Sequence, residues 1–238
     1  MREVLDYFEE RESEFGRHMS VARLLEARVD DVVAGEDVQV EVRHINTLKS
    51  GLLIHLYNIV EAVTTRTMRV VGQTVVTERP KLWTEAMLKE WVRAAIWDGE
   101  ERIGEGAVTR LAHIGGVLAS GESLEAFMIK GEPGSWDDTA IKKVAQRLGC
   151  PLVLSGAIKQ AAFEPAYLNE MTAMRYLASR RNAIAHGAAT FEEGARDHTL
   201  DEIAELANRV LPFLKAVAES YEAFLNAKGY LAPQEAAA

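Results

Sequence analysis

The sequence predicts an all-α fold, a helical bundle with long N-terminal helices, on three observations. Apolar residues recur at helical spacing, capping signals precede several of these stretches, and no βαβ alternation, repeat or low-complexity tract interrupts them. In the first stretch Leu5, Phe8, Phe15, Met19, Leu24 and Val29 recur among many charges, which predicts one helix from Val4 to Val33 with Gly35 as its C-cap. A polar break over 36–39 precedes a second long helix, Val42 to Val71, whose Leu48, Leu52, Leu53, Leu56, Ile59, Val60 and Val63 form a wide apolar stripe.

Gly72 and Pro80 bracket a Thr/Val-rich stretch that reads as extended chain or loop. Pro80 then opens a third helix to Trp97, because proline is tolerated in a first turn. The glycine-punctuated region from Asp98 to Gly134 offers one short helix around Val108 to Leu118. A capping box at Ser135-Trp136-Asp137-Asp138 starts a helix that ends at Gly149. The next runs from Pro165 to Gly187, and the capping box Thr199-Leu200-Asp201-Glu202 begins the last, to about Lys228. One domain over 1–231 follows, with 73–134 as an accessory insertion and 232–238 as a disordered tail.

Composition narrows the function classes. With 238 residues, 48% hydrophobic and 26% charged, the chain is an ordinary globular protein with one good core. The acidic, amphipathic N-terminus has no secretory pattern, and no apolar run reaches the ~18–20 residues that span a bilayer, so the expected location is cytoplasmic and away from membranes. Cys150 is the one cysteine, which excludes a disulfide framework and a thiolate cluster. The histidines show no His-Glu-x-x-His or comparable ligand spacing, so neither a metal nor another cofactor is expected. The net charge of −9 works against non-specific binding of long nucleic acid, so any RNA site must be a local basic patch on an acidic body.

The chemistry-bearing stretch is Leu177-Ala178-Ser179-Arg180-Arg181-Asn182-Ala183-Ile184-Ala185-His186-Gly187. At about 100° per residue, Ala173, Leu177 and Ile184 bury in one direction, while Arg175, Ser179, Asn182 and His186 share the opposite side. By the same geometry Arg181 lies about 140° around and about 7.5 Å along the axis from His186, so a long side chain or a symmetric partner helix must close the gap. The plain alternative is a histidine that stabilises the helix C-terminus and arginines that are solvated surface.

The order Arg181-Asn182, three residues, His186 resembles the signature of the HEPN family, and Arg180 also fits the spacing to the histidine. Leu56-Tyr57-Asn58-Ile59-Val60-Glu61, Trp136 to Gly149, Thr190-Phe191 and the capped terminal helix extend the likeness to MAE-type HEPN-like nucleases over 1–72 and 135–231. That resemblance implies a HEPN-like bundle and metal-independent cleavage of RNA at a homodimer cleft, in a toxin or defence effector restrained by an antitoxin or ATPase partner. It implies catalytic roles for Arg181 and His186, support from Asn182, and substrate contacts from Arg180, Ser179 and Arg175. The residues suit such chemistry, since RNA carries its own 2′-OH nucleophile, an imidazole exchanges protons near neutral pH, and a guanidinium donates a fork to phosphate. Asn58 and Glu61, three apart on one helix face, either border the cleft and contact substrate or support Arg181, or make a buried polar contact between helices. The rival functions are a non-catalytic HEPN-like module binding RNA, nucleotide or protein, and a purely structural helical subunit.

Overall fold

A computed structural model of the chain describes residues 1–29, 39–96, 105–121, 124–131 and 136–233. The described residues form an all-α bundle with no strand, only the isolated bridges Trp83–Leu231 and Tyr167–Met171. Its centre is three long helices, α1 (Arg2–Glu26), α2 (Val42–Val75) and α8 (Leu200–Asn226), packed on one another. Ion pairs fix their directions. Lys49–Glu26 sets α2 antiparallel to α1, while Arg23–Asp201 and Lys215–Glu9 set α8 antiparallel to α1. Phe8, Leu53, Leu56, Tyr57, Val210 and Phe213 are among the side chains sealed between them, and this burial is the main stabilising term.

Around this centre stand α3 (Glu85–Ile96), α4 (Glu105–Ser120), α5 (Asp138–Leu148), α6 (Gly156–Phe163) and α7 (Ala173–Ala185). The last of these lies against α2 and α8, and α6 packs on both α7 and α8. Trp83, Met87, Trp91, Ile114, Val117 and Ile129 of the 73–134 segment join the same apolar cluster as the long helices. Trp83 meets Trp91 edge-on at 5.8 Å, so these two indoles are packing elements. Buried Glu90 holds that end together by accepting from Arg147 Nε at 3.0 Å and Nη2 at 2.8 Å and by pairing with Arg93.

Several boundaries differ from the sequence expectation. Helix α1 ends at Glu26, short of Val33, and Gly35 lies outside the described residues. Gly72 does not end α2, which continues into the Thr/Val-rich stretch as far as Val75, and the rest of that stretch is a turn. The glycine is there for space, because a Cβ would sit 1.9 Å from the carbonyl oxygen of Phe127. Pro80 starts only a 3₁₀ turn, Pro80–Leu82, and α3 begins anew at Glu85. The 165–187 helix starts late. Thr172, accepting from the Arg175 amide, is the N-cap of α7, and 164–172 is a connection with a 3₁₀ turn at Leu168–Glu170. Ser155 caps the unforeseen short helix α6.

The capping box at Thr199 and Glu202 is present as read, and Gly149 ends α5 in the left-handed region at φ 69°. Asp137 is the N-cap of α5, while Ser135 lies outside the described residues. Ala232, read from the sequence as the start of a disordered tail, is tied back to the bundle, since its amide donates to the Leu82 carbonyl at 2.8 Å; 234–238 lie outside the described residues. Among the described residues no helix is long and apolar enough to cross a membrane.

Candidate functional site

The motif helix α7 is short, and both of its ends follow from local chemistry. Thr172 caps its start, and Gly187 at φ 73° turns the chain away directly after His186, the C-cap residue. Leu177 and Ile184 bury toward the bundle, which leaves Arg175, Ser179 and His186 exposed and Asn182 half-buried. The His186 amide donates to the Asn182 carbonyl at 3.0 Å, so the ring stands on the final turn of the helix. Among the described residues none donates to, accepts from or ion-pairs with its imidazole.

Arg181 leans the other way, across α2. Its guanidinium lies over the ring of buried Tyr57, 4.9 Å from the centroid. Nη1 donates to Asn182 Oδ1 at 3.1 Å and Nη2 donates to Glu61 Oε2 at 3.4 Å. With 29% of its side chain exposed, against 48% for Glu61, this is a surface pair with water access. Tyr57 is itself fixed, since its hydroxyl accepts from the Trp136 amide at 3.1 Å. The structure records no contact between Arg181 and His186 within the chain, in keeping with their angular offset on one helix.

Beside Arg181 runs an open groove along α2, lined by Asn58, Glu61, Ala62, Thr65, Arg66 and Arg69. Both α2 residues singled out from sequence therefore border a groove, and Glu61 also meets Arg181. Asn58 and Glu61 are exposed, which removes the buried interhelical contact as an alternative. The sequence reading missed Arg66 and Arg69, although they continue the same i, i+3, i+4, i+7 stripe that starts at Asn58. Arg66 rests over the Tyr7 ring at 4.0 Å. Arg66 and Arg69 thus place two guanidinium groups along this groove, which Arg181 meets through Glu61.

Arg180, expected from the sequence to contact substrate, is engaged within the chain instead. It donates from Nε to Tyr176 Oη at 2.6 Å and pairs with Asp197 across the loop that follows α7. Burial is the largest single effect on the Asp197 carboxyl and would raise it, but the hydrogen bond and charge of Arg180, a backbone amide and His198 together outweigh it and hold that pKa below its ordinary value. Tyr176 Oη also meets His198 Nε2 at 2.5 Å, and burial pushes the phenol up. Arg180 thus fastens the 187–199 loop against α7, and its donors are largely spent inside the protein.

Nearby, buried Asp138 accepts from Thr172 Oγ1 at 2.6 Å and ties the start of α5 to the start of α7. Burial raises its pKa, partly opposed by that hydrogen bond. Cys150 is sealed, and burial pushes its thiol up to about 12, so it is no nucleophile at neutral pH. Among the described residues no group of three or more His, Cys, Asp or Glu could hold a metal ion. No family model, curated protein or solved structure matches the chain.

Proposed function

We propose that the chain is a HEPN-type endoribonuclease that cuts RNA without a metal, using Arg181 and His186 at a cleft completed by a second copy, as a toxin or defence effector. One observation carries this reading: Arg181 stands at the edge of the groove that also bears Arg66 and Arg69, on a chain of net charge −9. A local cationic groove on an acidic body suits a short stretch of phosphodiester backbone better than a long duplex. The outward-facing imidazole and the α2-facing guanidinium make no contact with each other in one chain, and a twofold-related α7 would supply the second member of each pair.

In this mechanism an imidazole takes the proton from the 2′-OH as its oxygen attacks phosphorus. Arg181 stabilises the phosphorane charge, with Asn182 Oδ1 and the Tyr57 ring setting the direction of its fork. The departing 5′ oxygen takes a proton from an imidazolium at the cleft, leaving a 2′,3′-cyclic phosphate and a 5′-hydroxyl. Substrate contacts fall to Arg66, Arg69, Asn58, Ser179 and Arg175. An antitoxin or ATPase partner would act by covering the groove or separating the two copies.

The test is incubation of the purified chain with mixed RNA in chelator. Cyclic-phosphate ends, and their loss in His186→Ala with folding and dimerisation intact, are the expected result. Equal cleavage by that variant would remove His186 from the mechanism. The Arg181–Glu61 pair favours a second reading, a non-catalytic HEPN-like module that binds RNA, nucleotide or protein, because a guanidinium already facing a carboxylate is partly neutralised. RNA binding without cleavage would select it.

A further inference from the structure

At the seam of α1 and α2, away from the contacts of Arg181, two imidazoles 37 residues apart in sequence hold each other. His18 Nδ1 lies 3.2 Å from His55 Nδ1, with the two rings tilted 51° apart. Phe15, sealed in the core, packs its ring 5.8 Å from that of His55. Two nitrogens at this distance share one hydrogen, so one ring donates and the other accepts. An imidazolium donates from both nitrogens and accepts at neither. The bond therefore survives with no charge on the pair or with one, and fails with two.

We propose that His18 and His55 form a one-proton latch between α1 and α2, closed while the two rings share a hydrogen and released when acid charges both. The neighbours permit the first charge and oppose the second. Among the described residues the charged and titratable groups that act on His55 are His18, Glu14 and Arg11, all from α1, with none from α7 or α8. Glu14 Oε2 lies 3.8 Å from His55 Nε2, too far for a hydrogen bond but near enough to favour one imidazolium. That carboxylate already meets Arg11 Nη1 at 2.5 Å, so it has little left to offset a second.

Burial, His18 and Arg11 together depress the His55 pKa against the opposing pull of Glu14. The closed seam thus binds fewer protons than the released one, and it loses stability as pH falls below the ordinary histidine value of 6.5. Swinging the exposed His18 ring into water relieves the repulsion but leaves a charged His55 half-buried against Phe15. Relief is complete only when α1 itself moves. The latch also connects to the groove. Arg11 lies over the Tyr7 ring, 5.5 Å from the centroid, and Arg66 of the groove lies over the same ring at 4.0 Å. Releasing α1 takes this aromatic seat from Arg66, whatever the groove binds.

The experiment is an NMR titration of the full chain, without RNA, from about pH 8 to about pH 5, following both imidazoles and the amides of α1 and α8. The expected result is two macroscopic steps for the pair, more than about one pH unit apart. The α1 amides shift in the second step while those of α8 hold still. His18→Asn, at an exposed position, leaves a single step at higher pH than the second step of the parent and weakens the acid response of α1. Independent titration of the two rings, α1 amides that stay still while His18 alone moves, or an acid response shared equally by α8 overturns the proposal. So does a His18→Asn variant whose α1 amides respond to acid as the parent's do. None of these readouts involves RNA, so they test the latch independently of the nuclease.

Discussion

The Arg181 guanidinium rests 4.9 Å above the Tyr57 ring while one of its nitrogens donates to Glu61 at 3.4 Å. The aromatic face aims the fork without neutralising it, whereas the carboxylate competes with any phosphate for the same nitrogen. Glu61→Gln therefore tightens RNA binding severalfold and keeps cleavage, whereas Arg181→Ala lowers the cleavage rate by about 10²–10³. Fluorescence anisotropy and cleavage assays on the two variants check this. Weaker RNA binding in Glu61→Gln would show that the carboxylate positions Arg181 rather than masking it.

The groove arginines act through charge alone. Arg66→Ala with Arg69→Ala reduces the slope of log affinity against log salt by about 0.7 for each lost contact to single-stranded RNA. Binding titrations across a salt series read this directly. An unchanged slope would place the bound strand elsewhere.

Asp138 gives a pH signature. Its pKa is raised in the folded protein, so the folded state holds the proton more tightly than the unfolded chain does. The group therefore costs stability above its folded pKa, and the cost fades as pH falls toward its ordinary value of 3.8. Asp138→Asn retains an oxygen for Thr172, and its Tm relative to the parent is more favourable at pH 7 than at pH 4. Thermal scans at both values decide, and an equal difference at each pH would refute the linkage.

Much of the fold was legible where the signal is local. The Thr199–Glu202 box and the Gly149 stop lie within one helical turn of the ends they mark, and the structure places both as read. Signals that depend on distant neighbours were not legible. Gly72 reads as a terminator until Phe127 is seen pressed against it, and Pro165 reads as a helix start although Thr172 holds the cap. At the site, the outward direction of Ser179 and His186 followed from helix geometry. The capture of Arg180 by Asp197 did not, because it depends on the path of a loop 17 residues on. The meeting of His18 and His55 depends on the register of α1 against α2, which no local pattern encodes.

Gly194 marks where that loop returns to the bundle. A Cβ there would stand 2.5 Å from Ile184 Cγ1 and 2.9 Å from Ser50 Oγ. Gly194→Ala destabilises by about 1–3 kcal/mol through overpacking beneath the last turn of α7. Denaturant unfolding measures it, and an unshifted midpoint would mean that Ile184 swings aside freely.

Glu90 has a consequence for how the molecule breathes. Its carboxylate is 3% exposed and receives Arg147 of α5, whose Nη2 also donates to the Lys130 carbonyl at 2.7 Å. Pulling α5 away from α3 would strip the buried Glu90 carboxylate of both bonds from Arg147 and leave it with Arg93 alone, so α3 and α5 open together. Their amides should exchange with deuterium together, as one cooperative unit opening at a shared free energy.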